Sequence, residues 1–248
     1  MKLFLELNIK EDDVIKKIEG IRKSQPSRKV RSSGKNVSGF YPSKKMGVTI
    51  QFESRTLELA AIYEKEFDSN VIEYYDLPET FPIRYQNKGR NTGHYYTPDF
   101  FVIEKEWIGY EEWKTEKELS NLILKYPGRY SIDEAGAFRC PPAEEYAKAC
   151  GLSFRIRTSS EIDWTLQRNI RFLEDYLIGD ETVSSTRRNL IINVIAEKPG
   201  ISLERLLNMK LDFGADDIYH LLAQNEIYAD IKDSLITDFD KFSIFLNK

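Results

Sequence analysis

Residues 97–114 read TPDFFVIEKEWIGYEEWK. Two runs, Thr97–Ile103 and Trp107–Lys114, are rich in aromatic and β-branched residues, and Glu104-Lys105-Glu106 is a short polar break between them. The pattern predicts two adjacent strands joined as a hairpin. Centred between Lys105 and Glu106, that hairpin sets Asp99 opposite Glu112. Directly opposed residues share a face, with Cβ atoms about 4.5–5.5 Å apart. Lys114, two residues after Glu112, shares the face because strand side chains alternate, while Glu111 and Trp113 point the other way. Two carboxylates at that separation repel each other unless positive charge sits between them. Pro98-Asp99 with Glu112-Trp113-Lys114 thus forms a PD…ExK constellation, which suits hydrolysis of a DNA phosphodiester with a divalent metal.

A third carboxylate comes from the helix expected between Ser54, as its cap, and about Phe67. Glu58 lies three and four residues before Ala61 and Ile62, on the stripe that should face the core. A glutamate there needs a partner, and a metal shared with Asp99 and Glu112 would supply one. Glu64, Lys65 and Glu66 read as solvated surface, and Glu53 as a solvent-facing rival. On this reading Glu58, Asp99, Glu112 and the main-chain carbonyl of Trp113 hold one or two Mg²⁺ ions, with Mn²⁺ as a substitute. Lys114 orients the attacking water and stabilises the charge that builds up on the phosphate. His94 and His220, the two histidines, have no role in this scheme.

The net charge of −4 argues against a general nucleic-acid binder, but the charge is unevenly spread. Between Gly20 and Phe52 there is no acidic residue, and Arg28, Lys29, Arg31, Lys35, Lys44 and Lys45 fall within this stretch. With Ser32-Ser33-Gly34, Gly39 and Pro42 it reads as a flexible basic arm that could neutralise DNA phosphates. Cys140 and Cys150 fit neither a zinc site nor a disulfide framework. The apolar runs are too short to span a membrane, and the first residues lack a signal-peptide pattern. A bacterial cytoplasmic location is the expectation.

Predicted helices and strands alternate around a mixed sheet, so the fold class is α/β. Residues 1–52 are expected to form an N-terminal helix and the arm, and 53–178 a nuclease domain. Gly179–Thr182 reads as the boundary before a small α+β module over 183–248. Three helices there, with strands near Glu226–Asp230 and Leu235–Thr237, would make a winged helix. Asp216 and Asp217 at the start of its third helix would repel phosphates, which favours protein docking over DNA reading.

Leu57-Glu58-Leu59-Ala60, Thr97-Pro98-Asp99-Phe100-Phe101-Val102, Glu112-Trp113-Lys114 and Asp216-Asp217-Ile218-Tyr219 together resemble TnsA. That family comprises the endonuclease subunits of heteromeric Tn7-like transposases, with a restriction-endonuclease-like core. The resemblance implies an active site of Glu58, Asp99 and Lys114, with Glu112 at a position that is Gln in some members. It further implies cleavage at the 5′ ends of transposon DNA. A DDE transposase subunit (TnsB-like) would process the 3′ ends, and an AAA+ regulator (TnsC-like) would dock on the C-terminal part. The competing expectations are a stand-alone nuclease of the same superfamily, such as a restriction enzyme or junction resolvase, and a non-enzymatic DNA-binding regulator.

Overall fold

Val14, Ile18 and Ile21 recur at helical spacing, and helix α1 (Asp12–Lys23) buries all three. The acid-free stretch that follows is not a flexible arm throughout. Gly39–Ser43 (β1) and Val48–Phe52 (β2) pair antiparallel, because Tyr41, Ile50 and Phe52 are apolar side chains with a core to enter. Arg31 and Lys35 lie outside the described residues of this computed structural model, which are 7, 9, 11–30, 37–179 and 181–247. Helix α2 spans Glu58–Phe67 instead of starting after Ser54. Ser54 caps a preceding turn: its Oγ accepts from Leu57 N at 3.2 Å and its carbonyl from Leu59 N at 2.9 Å.

After β3 (Val71–Asp76) comes a hairpin of β4 (Phe81–Asn87) and β5 (Arg90–Tyr96). Lys88 and Gly89 have φ of 50° and 77°, the left-handed pair that a tight two-residue turn needs. Asn91-Thr92-Gly93 has the composition of a second turn but lies inside β5. The strand expected over Thr97–Ile103 is cut back at Pro98, which has no N–H for a ladder, and starts only at Phe100. β5 therefore stays with β4, while β6 (Phe100–Glu104) pairs with β3 and with β7 (Ile108–Lys114).

Helix α3 (Glu116–Lys125) starts with a capping box between Thr115 and Glu118. Two short strands, β8 (Ser131–Ile132) and β9 (Phe138–Arg139), form a further hairpin. Helix α4 (Pro141–Ala149) then leads into β10 (Ser153–Thr158). The central sheet has the order β10-β7-β6-β3, with β10 parallel to β7 and the other pairs antiparallel. It is the mixed sheet of an α/β fold. One face, carrying Phe101, Ile103 and Tyr110, packs in a cluster with α1, Leu119 of α3 and Ala143 and Ala147 of α4. On the other face, Lys65 of α2 lies over Phe100 and Trp113.

The chain divides into two compact units, Met1–Ile162 and Asp163–Lys248. Two expected boundaries therefore move. Residues 1–52 belong with the first unit, because α1 is part of its core. Helix α5 (Trp164–Ile178) belongs with the second, so the division falls before it and not at Gly179–Thr182. Leu173 of α5 enters the second core, and buried Asn169 donates to Ile231 O and Ser234 O and accepts from Ile236 N.

The second unit continues with α6 (Ser185–Glu197), β11 (Ile201–Ser202), α7 (Leu203–Asn208), α8 (Ala215–Ala223) and β12 (Ser243–Ile244). The strand expected at Leu235–Thr237 is absent. Asn169 already takes the Ile236 N–H, and β12 pairs with β11 in its place. Near the other expected strand, Tyr228 makes an isolated bridge to Phe245. Asp216 accepts from Tyr176 OH at 2.6 Å and Asp217 from Gly214 N at 2.9 Å, so both carboxylates have partners inside the unit.

The junction of β7 with β10 admits no side chain at Gly109. A Cβ there would lie 2.0 Å from Ser153 O. Gly109→Ala should cost about 1–3 kcal/mol, read as a lower urea midpoint with unchanged slope.

Candidate active site

The pairs Phe100↔Glu111 and Ile103↔Ile108 fix the hairpin register, and Glu104 N donates to Trp107 O at 2.8 Å across its end. One step further, the same register sets Asp99 opposite Glu112, as the spacing predicts. Asp99 N donates to Glu111 O at 3.0 Å. Beyond it the chain turns away at Pro98, and β7 loses its main-chain partner. The Asp99 side chain replaces it: Oδ2 accepts from Trp113 N at 2.7 Å. Main-chain N–H and C=O of one strand residue point to the same side, so the Trp113 carbonyl faces the Asp99 side as well.

Glu112 is 4% exposed. Its Oε1 is bonded to Lys114 Nζ, and its Oε2 is buried without a hydrogen-bond partner. Glu58 is the first residue of α2, and its Oε2 accepts from Glu53 N at 2.7 Å. Burial pushes the Glu58 pKa up to about 7; the Glu53 N–H opposes this, and the charges of Glu53 and Glu112 add to it. Asp99 is raised well above the usual carboxylate range by burial, then by Glu112, with Glu58 contributing and Lys114 opposing. Burial alone would lower the pKa of Lys114, but Glu112 and then Asp99 outweigh it and leave it raised. Three carboxylates thus sit within reach of one another's fields, beside one ammonium.

Each of these carboxylates holds a nitrogen: Trp113 N, Lys114 Nζ or Glu53 N. Among the described residues, no three acidic, His or Cys side chains are close enough to form a ready-made ligand cage. The donor set still fits a hard divalent cation, because it is all oxygen, mutually repelling and includes the unpartnered Glu112 Oε2. Glu53 is not simply solvent-facing. Its side chain is paired with Arg28, whose Nη2 lies 2.7 Å from Oε2.

Other expected DNA-contacting residues fare differently. Lys45 is half-buried against the end of α2, where its ammonium donates to Lys65 O, to Asp68 O at 2.7 Å and to Val71 O at 2.9 Å. That ammonium closes the helix terminus and is not offered to a phosphate. Lys29 and Lys44 are exposed. His94 packs edge-on against Tyr85, and His220 against Tyr176.

The opposite face of β7 buries Lys65, which is expected in solvent from its acidic neighbours. Lys65, 3% exposed, is bonded to fully buried Glu111 and lies over the Phe100 and Trp113 rings at 4.7 and 5.2 Å. Glu111 also accepts from Arg155 Nε at 2.8 Å and from Trp113 Nε1 at 3.1 Å. Glu64 pairs with Arg157, and Glu66 holds Ser43, Tyr74 and Lys45 N. A signal for Lys65 existed: it follows Ala61 and Ile62 by four and three residues, on the stripe that singles out Glu58. A lysine on that stripe between acidic neighbours reads as surface until the carboxylate across the sheet is known.

Residues 68–159 match a family model described as TnsA-like endonuclease N terminal, and residues 161–231 match TnsA endonuclease C terminal. The first span includes Asp99, Glu112 and Lys114, and starts after Glu58. No curated protein matches the chain significantly.

The buried pair yields two expectations. Glu111→Ala strands the Lys65 ammonium and should cost about 3–5 kcal/mol, most of which Lys65→Met in the same chain restores. Although burial opposes it, Lys65, Arg155 and Arg157 together hold the Glu111 pKa down at about 2, from an ordinary 4.5. Burial also lowers the Lys65 pKa, so desolvation of the ammonium offsets part of the gain. A depressed carboxylate pKa stabilises fully above the ordinary value and is lost as pH falls toward the folded one. Urea titrations should therefore show wild type weakening between about pH 4.5 and 2, with a shallower decline in the Glu111→Ala/Lys65→Met chain.

Proposed function

The chain belongs to the TnsA family, the endonuclease subunits of Tn7-like transposases, and on that premise we propose that it hydrolyses DNA phosphodiesters at the 5′ ends of its element with a divalent cation. The observation that carries this is the unpartnered, buried Glu112 Oε2, set beside the Lys114 ammonium and near Asp99 and Glu58, whose pKa values burial and then the Glu112 charge push up. Buried like charges are costly, and a site that collects them is suited to a cation.

Asp99, Glu112 and Glu58, with the Trp113 carbonyl, would hold Mg²⁺, for which Mn²⁺ substitutes. When bound, such an ion polarises the scissile phosphate and lowers the pKa of a water. Lys114 keeps its proton, since Glu112 and Asp99 raise its pKa. It therefore acts as a fixed positive charge that holds the attacking water and offsets negative charge on the phosphate. Asp99 is anchored by the Trp113 N–H and Glu58 by the Glu53 N–H, so both carboxylates are positioned before substrate arrives. No covalent enzyme–DNA bond is needed.

Family membership implies work alongside TnsB, TnsC and DNA. The proposed division of labour leaves the 3′ strands to a DDE transposase of the TnsB kind, with an AAA+ protein of the TnsC kind docking on the second unit. Exposed Lys29 and Lys44, with Arg28 beside Glu53, would give only modest DNA affinity. Cutting would then be confined to the assembled complex.

Strand-specific end cleavage with the cognate transposase tests this. Asp99→Asn should abolish 5′ cleavage and Lys114→Ala should reduce it by about 10²–10³-fold, with 3′ processing intact. Unchanged 5′ cleavage in Asp99→Asn would refute the assignment. Mg²⁺ should also raise the melting temperature of wild type and leave that of Asp99→Asn unmoved.

A further inference from the structure

Arg129 stands beside this site and has no part in the chemistry described so far. It follows Pro127-Gly128 in the turn after α3, where Arg129 N and Tyr130 N both donate to Tyr126 O, at 2.9 and 3.1 Å. The turn is seated hard on β4: a Cβ on Gly128 would lie 1.7 Å from Gln86 O. From that platform the guanidinium extends over two rings, 4.7 Å from the centre of Tyr130 and 5.1 Å from that of Tyr96. Tyr96 ends β5, three residues before Asp99, and both tyrosines are buried on the sheet face that carries Glu112.

Among the described residues, the other half-buried arginines of this unit each hold a carboxylate: Arg22 has Glu73, Arg155 has Glu111 and Arg157 has Glu161. Arg129 differs. Among the described residues no Asp or Glu is bonded to it, and its Nε is buried without a partner. Glu112, whose charge it feels, gives its Oε1 to Lys114 instead. Leaving a buried N–H donor unpaired is unfavourable, and stacking on rings requires no donor at all. One side of the guanidinium approaches the Cys140 thiol, and a guanidinium held by ring faces can present the rest of its flat fork to two oxygens of a phosphate.

We propose that Arg129 grips a backbone phosphate of the DNA strand being cut, next to the scissile bond. This rests on the nuclease reading above. Tyr96 and Tyr130 hold the plane of the guanidinium, and the Gly128 turn sets its height above the carboxylates. The contact is to non-bridging phosphate oxygens, so it positions the strand without reading its sequence.

The test is single-turnover 5′ cleavage by the chain with its cognate transposase, on end DNA carrying one neutral methylphosphonate at successive positions near the cut. Wild type should show one flanking position where the neutral linkage slows cleavage by about tenfold. Arg129→Gln should cut about tenfold more slowly on ordinary DNA and be indifferent to that position. Arg129→Lys, which keeps the charge and loses the fork, should fall between and serves if Arg129→Gln does not fold. A variant that is slow yet keeps the wild-type methylphosphonate profile would reduce Arg129 to a packing role and overturn the proposal. A wild-type complex that leaves the 5′ strands intact in both Mg²⁺ and Mn²⁺ would remove the nuclease reading itself, which is a distinct result.

Discussion

The antiparallel pairing of β6 with β7 constrains everything at the site. Its register sets Asp99 opposite Glu112, and strand alternation adds Lys114 to the same face. Two buried carboxylates in such proximity are unstable as a bare pair. The fold manages them with local donors: Trp113 N for Asp99, Lys114 Nζ for Glu112, and Glu53 N for Glu58. Even so, Asp99 and Glu58 remain raised and one Glu112 oxygen stays unpaired. The residual strain is electrostatic, and it lies at the proposed active site.

The other face of β7 explains why this arrangement holds together. Glu58 and Lys65 are seven residues apart on α2, two turns on one side of the helix. Lys65 is tied to Glu111 and enclosed by Phe100 and Trp113. Glu111 and Glu112 are neighbours on one strand with opposite facings. The buried pair on one side therefore fixes the helix that delivers Glu58 to the carboxylates on the other. Arg155 and Arg157 of β10 join at Glu111, which links the parallel edge strand to the same point. A wholly apolar contact could hold α2 as firmly, but it would allow more sliding along the helix. The ion pair and its ring contacts specify one depth.

Charge is handled differently away from the sheet. Lys45 closes the C-terminus of α2 through three carbonyls, where a positive group is also favoured by the helix dipole. Arg28 is bound to Glu53, whose N–H donates to Glu58. In the second unit, Asp216 and Asp217 serve Tyr176 and the Gly214 N–H. Much of the charge that looks available for partners along the chain is thus committed within its own unit, and Arg129 stands out by contrast.

Local pattern alone determined the α/β class, the β6–β7 hairpin with its register and the α1 core stripe. Each depends on residues within a few positions of one another, where periodicity, turn chemistry and hydrogen-bond capacity act directly. Grouping Glu58 with Asp99 and Glu112 was also legible, since an acid on an apolar stripe demands a partner. Only the tertiary structure decided that Lys65 is buried and Lys45 tied to the end of α2, that β1 and β2 pair, that α5 joins the second unit, and that Arg129 comes beside Glu112. Apart from the β1–β2 hairpin, the partner lies far along the chain: Glu111 for Lys65, Ile231–Ile236 for Asn169, the β5 end for Arg129. The free energy of a charged or amide side chain depends on whether such a partner exists, and a partner brought close by folding leaves no trace in the neighbouring residues.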